Sequence, residues 1–122
     1  MPRQILAEAQ IHPAIRDAIA ALHVDTVLQV QDAVTHHPVV VIGMARNPFV
    51  AKARKALDAA GVAHFDLDFG GYLSEWRRRN SLKMWTGWPT FPMVFVRGQL
   101  IGGYTNVQRL IDSGELAHLL AA

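Results

Sequence analysis

Apolar positions recur along the chain in blocks, and the spacing within each block predicts an element. After His12-Pro13, the residues Ile15, Ala18, Ile19 and Leu22 repeat at intervals of three and four, predicting a helix with Pro13 in its first turn. A second helix is predicted from a cap at Asp25 or Thr26, with Val27, Val30, Gln31 and Val34 along its buried side, ending near His36-His37-Pro38. Val39-Val40-Val41-Ile42-Gly43 has no polar alternates, and a continuous β-branched run suits a strand covered on both faces. Asn47-Pro48 then supplies a cap oxygen and a first helical proline, with Phe49, Val50, Ala53, Leu57 and Ala60 forming an apolar stripe as far as Gly61.

Between residues 62 and 68, Ala63, Phe65 and Leu67 alternate with His64, Asp66 and Asp68, predicting a strand with one wetter face that Gly70-Gly71 ends. Residues 72 to about 83 read as a helix with Leu73 and Trp76 inward and the arginines outward. Pro92 to Arg97 and Gln99 to Gly102 read as two strands joined by a tight turn at Arg97-Gly98. A last helix starts near Thr105-Asn106 and carries Val107, Leu110 and Ile111, with Ser113-Gly114 interrupting it before Leu116, Leu119 and Leu120. The order strand, helix, strand, helix, hairpin, helix predicts an α/β fold, a mixed sheet with helices on both sides.

The chain has 122 residues, 51% of them hydrophobic, enough for one core and too few for a second domain of ordinary size. The formal charge of +2 is a mild basic bias, and no like-charge block exceeds Arg77-Arg78-Arg79, so nucleic acid is not an expected partner. Met1 to Gln10 contains Arg3 and Glu8 without an apolar run, and no stretch approaches the roughly 20 apolar residues that cross a bilayer. The expectation is a soluble cytoplasmic protein with no membrane partner. Cysteine is absent, which excludes disulfides but says nothing of compartment.

The stretch Trp88-Pro89-Thr90-Phe91-Pro92, with the run from Val94 to Gly103 and Ser113-Gly114-Glu115-Leu116, resembles the glutaredoxins, most of all the single-cysteine, monothiol kind. The resemblance covers about Asp25 to Leu120. It implies a thioredoxin-like fold with a central mixed four-stranded sheet, a domain over 25–122, and an N-terminal extension over 1–24 whose helix is extra. The plain reading of that helix is a flap over apolar surface; the alternative is a homodimer contact.

By this resemblance the nucleophilic cysteine falls on Asn47, in the order Gly43-Met44-Ala45-Arg46-Asn47-Pro48-Phe49-Val50. Helix N-termini lower a thiol's pKa, whereas an amide cannot attack a disulfide. Val50 stands where a second cysteine occurs in the dithiol class, so no catalytic residue is expected. The resemblance further implies that Phe91, before a cis Pro92, offers its backbone to the cysteinyl unit of glutathione as an added strand does. Met44 replaces the family's lysine, and Thr105-Asn106 replaces its acidic group after the double glycine. Arg46, or Arg79 or Lys83 from the preceding helix, is a candidate for the missing cation. The implied glutathione- or peptide-binding set is Arg46, Asn47, Phe49, Thr90, Phe91, Pro92, Gly103, Tyr104, Thr105 and Asn106.

A 2Fe–2S cluster of the monothiol kind is not expected, since such clusters are overwhelmingly thiolate-ligated. The six histidines include no i, i+4 pair and no acidic partner pattern, so they read as structural or exposed and no metal site is expected. Trp76 and Trp88 read as core packing and groove rim rather than a stacking platform. Three readings follow: a redox-inactive protein that binds glutathione or an extended peptide, a glutathione-dependent enzyme with Asn47 at the ligand's thiolate, and an interaction scaffold using the N-terminal helix.

Overall fold

The β-branched run Val39–Gly43 forms β1, the inner parallel strand of the sheet, in the computed structural model, which describes residues 2–121. A short 3-10 turn, Glu8–Gln10, precedes α1 (Pro13–Ala21) and α2 (Val24–His36). After β1 come α3 (Pro48–Ala59), β2 (Phe65–Asp68), α4 (Trp76–Thr86), β3 (Met93–Val96), β4 (Gln99–Gly102), α5 (Tyr104–Asp112) and α6 (Glu115–Ala121). The sheet order is β2-β1-β3-β4, with β1 parallel to β2 and the other pairs antiparallel. This is the thioredoxin-like arrangement implied by the sequence.

Alternate residues of β1 and β3 serve two cores, which is why neither strand has a polar face. Val40, Ile42, Met93 and Phe95 pack with Val30 and Leu82 on one side. Val39, Val41, Val94 and Val96 pack with Leu57, Val107 and Leu116 on the other. Burial of such side chains stabilises by roughly 1.5–3 kcal/mol each. The β3–β4 turn places both Arg97 and Gly98 at positive φ, as a two-residue hairpin of the primed kind requires. Among the described residues, no helix is long and apolar enough to cross a membrane.

Several expectations are corrected. Helix α2 is capped by neither Asp25 nor Thr26: it starts at Val24 behind His23 in the left-handed region, and Thr26 is fully buried, its Oγ1 accepting from Arg78 Nε at 2.8 Å. Ala33 occupies the inner face of α2, while Gln31 is exposed. On α3, Phe49 is exposed and Val50, Ala53 and Leu57 make the buried stripe, while Ala60, just past the helix end, is exposed too.

The largest change is at α4. It starts at Trp76 rather than near Tyr72, and Leu73 and Trp76, expected inward, are 100% and 54% exposed. Arg79, expected outward, is only 7% exposed because its Nη1 donates to the carbonyl oxygens of Phe69 and Ser74. Two loop carbonyls needing a donor outweigh the hydrophobic pattern, since a buried carbonyl without a partner costs about 1–3 kcal/mol. At the N-terminus, α1 has no fully buried residue, and Ile15, Ile19 and Leu22 are half exposed, so it is not a packed flap.

Candidate functional site

Helix α3 opens at Asn47, and the way it opens decides what the site can do. The Asn47 Oδ1 accepts hydrogen bonds from the backbone N–H groups of Phe49 (2.9 Å) and Val50 (3.2 Å), with Pro48 at the first helical position. Those amides are the ones a helix start would otherwise offer to an anion. The side chain therefore fills its own anion seat and leaves Nδ2, a neutral donor, as its remaining polar group. The approach to α3 is fixed by continuing the ladder of β1 and β2: Phe69 N donates to Gly43 O at 3.0 Å, and Ala45 N to Gly70 O at 2.7 Å.

Across from Asn47, the Phe91–Pro92 peptide is cis. A cavity of about 270 Å³ joins Phe49, Thr90, Phe91 and Pro92 to Gly103, Tyr104, Thr105 and Asn106. Those are all of the sequence-derived binding residues except Arg46 and Asn47. A second cavity of about 370 Å³ shares Phe49, Thr90 and Phe91 with the first and brings in Asn47, Met44, Tyr72, Arg79 and Lys83. Arg46, at positive φ, lines neither; it lies on the other side of Asn47, beside Ala45 and Asp68.

At the far end, Gly103 caps α5. Its N–H donates to Asn106 Oδ1 at 3.1 Å, so that oxygen is already engaged. Gly102, at φ +115, must lack a side chain, because a Cβ there would meet Asn106 Oδ1 at 2.5 Å. The Thr105 hydroxyl and the first amides of α5 remain as donors toward the cavity.

The groove is cationic. Lys83 Nζ lies 5.8 Å from the Phe91 ring centroid. Lys52 Nζ lies 5.4 Å from the Phe49 ring and 5.9 Å from that of Tyr104. None of Arg46, Lys52, Arg79 and Lys83 pairs with a carboxylate among the described residues. Sequence reasoning missed Lys52. Its i, i+3 spacing from Phe49 on an exposed helix face was the available signal.

On the opposite flank of α3 the charges are paired. Arg54 Nη2 donates to Asp68 Oδ1 at 2.6 Å, and Arg54 Nε lies 3.3 Å from Asp66 Oδ2. His64 has a carboxylate at each ring nitrogen, Asp66 at 2.6 Å and Asp58 at 2.8 Å, correcting the expectation that no histidine has an acidic partner. Both ring nitrogens must donate to serve two carboxylates, so this geometry belongs to the imidazolium. Burial alone would lower the pKa of His64, but its hydrogen bonds and charge interactions with Asp66 and Asp58 raise it above 6.5.

Among the described residues no group of three or more His, Cys, Asp or Glu could hold a metal ion. With no thiolate in the chain, the residues present do not fit an iron–sulfur cluster.

Comparison with known proteins bears on this geometry. The sequence model of the family described as Glutaredoxin matches residues 39–101. The chain is 43% identical over 102 residues to a glutaredoxin-like protein of Dictyostelium discoideum, covering 84% of this chain and 83% of that one. It is 36% identical over 76 residues to glutaredoxin-3 of Mus musculus, covering 62% of this chain and 22% of that longer protein. A buckwheat glutaredoxin–glutathione complex superposes with TM-score 0.73 at 24% identity, over 82% of this chain and 91% of that chain, which speaks for the fold.

Proposed function

The chain belongs to the glutaredoxin family, and from that premise we propose that it is a redox-inactive member binding glutathione, or an extended peptide, in the groove beside Pro92. The observation that carries this reading is Asn47, an amide at the nucleophile position that caps its own helix through Oδ1. Thiol–disulfide exchange needs a thiolate attacking sulfur, and this chain supplies none. The groove keeps the parts that do not need sulfur: the Phe91 backbone before Pro92, the rings of Phe49 and Tyr104, and the α5 start at Gly103, Tyr104, Thr105 and Asn106.

Glutathione carries two carboxylates, and the groove has cations without carboxylate partners near both ends. Arg79 and Lys83 stand on the Asn47 side to receive one carboxylate, in place of the lysine that Met44 replaces. The first amides of α5, with Lys52 above Tyr104, receive the other. Arg46 lines the neighbouring cavity with Met44 and Asn47 rather than either groove cavity. The thiolate-stabilising alternative rests on Asn47 Nδ2 alone, because the two helix amides are taken.

Native mass spectrometry with and without glutathione, alongside a glutathione-dependent disulfide reductase assay, tests the reading. The expected result is a one-to-one complex with no turnover. Turnover by the metal-free recombinant protein, or no complex, would overturn it.

A further inference from the structure

Helix α1 is an element without a core of its own. Every residue of it is exposed except Arg16, whose Nε donates to Ile11 O at 2.7 Å. The helix has nine residues, fewer than the roughly 12–15 that an isolated helix needs in water, and helices of this length draw their stability from packing an apolar face. On α1 that face is Ile15, Ile19 and Leu22, at i, i+4 and i+7.

The stripe does not stop at the helix end. His23, in the left-handed region, turns the chain into α2, whose Val24 and Leu28 fall by helical spacing on the side opposite the buried Thr26, Val30 and Ala33. All five apolar side chains are 42–56% exposed. None of them lines a cavity of the groove.

Area and charge together point to the occupant. Five aliphatic side chains about half exposed leave on the order of 450 Å² of apolar surface, the scale of the largest patch on a soluble monomer. A standard interface takes about 800 Å² from each partner, a little over half of it apolar. One stripe therefore supplies the apolar share of one side of a stable dimer. It is also uncharged: α1 carries one cation and one anion, Arg16 and Asp17, and the outer face of α2 continues through Gln31 and Thr35. Asp25 and Asp32 stand about a quarter turn away on α2, where an interface has its polar rim. Such a surface has no basic face for an anionic membrane or a nucleic acid, and its centre meets its own copy without like-charge repulsion.

We propose that two copies of the chain pair across a two-fold axis through this stripe, each burying Ile15, Ile19, Leu22, Val24 and Leu28 against the other. Two-fold pairing presents the same patch from both copies, so one stripe serves as both sides of the interface. The pairing uses no thiolate and no ligand, and it stands independently of the groove reading.

The test is sedimentation equilibrium of the full chain over roughly 1–100 μM, the range in which a dimer with a micromolar Kd dissociates. The mass is expected to rise to twice the 13.5 kDa of one chain. Ile19→Glu and Leu28→Glu each bring a carboxylate from both copies into the apolar interface, and each is expected to weaken pairing at least about tenfold. Leu28 sits on a helix anchored by its own buried face, so its variant reads the interface even where Ile19→Glu melts α1. Leu73→Glu, at a wholly exposed leucine outside the stripe, is expected to leave the dimer intact. A chain that stays monomeric over the whole range, a dimer that survives either stripe variant, or one lost with Leu73→Glu would overturn the proposal.

Discussion

Helix α3 carries charge on two flanks of opposite character. Toward the sheet edge, Arg54, Asp68, Asp66, His64 and Asp58 form an unbroken series of pairs at 2.6–3.3 Å. Toward the groove, Lys52 on α3 lies over the Phe49 ring and Arg79 and Lys83 on α4 line the cavity beside Phe91, none of them with a carboxylate partner among the described residues. Paired charges satisfied within the chain tie an edge strand to its helix. Lys52 and Lys83, without a carboxylate partner among the described residues, keep that pairing capacity for an anion from outside the chain.

Breaking the paired flank gives the largest expected effect. Gly43→Ala places a Cβ 2.6 Å from Val50 Cγ1, 2.9 Å from Asp68 Oδ1 and 3.2 Å from Arg54 Nη2. Denaturant unfolding is expected to show a loss of about 2 kcal/mol, as for overpacking in a core; an unchanged midpoint would mean that the network tolerates displacement. On the groove flank, Lys83→Met is expected to leave stability near wild type and weaken glutathione about tenfold, equivalent to one charge-assisted contact. Equal weakening by Arg54→Met, on the paired flank, would erase the contrast.

Asn47 lies between the flanks and sharpens the comparison. Asn47→Ala is expected to cost about 1 kcal/mol by loss of the cap, and Asn47→Asp to stabilise by roughly 0.3–1 kcal/mol as an anion at a helix N-terminus. Thermal melting of both variants checks the signs. A destabilised Asn47→Asp would show that Nδ2, and not only Oδ1, holds the helix start.

The smallest expected effect is the pH response of the paired flank. A histidine whose folded pKa is raised contributes stability that is fully present below about 6.5 and is lost as pH rises through the folded value. The excess stability of wild type over His64→Asn is therefore expected to shrink between pH 6 and pH 9, within the roughly 0.2–1 kcal/mol of screened pairs. An excess that grows with pH would mean that His64 is neutral between its two aspartates.

Residues with local signals were the ones legible in the sequence. The β-branched run Val39–Ile42, the Arg97-Gly98 turn and Asn47-Pro48 each encode their conformation within a few residues, and the structure has them where the pattern puts them. Most of the groove was legible too, because the stretch from Trp88 to Pro92 and the double glycine carry the family resemblance. What was not legible depended on partners distant in sequence. Arg79 turns inward for the carbonyls of Phe69 and Ser74, and Leu73 is left out in solvent by the turn after Gly70. His64 meets Asp58 only because β2 runs back along α3, and helical or strand periodicity contains no record of that meeting.

The central claim is that the groove binds a tripeptide through its two carboxylates without using its sulfur. Calorimetric titration with glutathione and with γ-glutamyl-2-aminobutyryl-glycine, the same tripeptide with a methyl group in place of the thiol, tests it most directly. The account predicts equal affinities, both falling as salt is raised because the contacts are ionic. Binding of glutathione with loss of the sulfur-free analogue would contradict it, since the thiol would then be the group that the site reads.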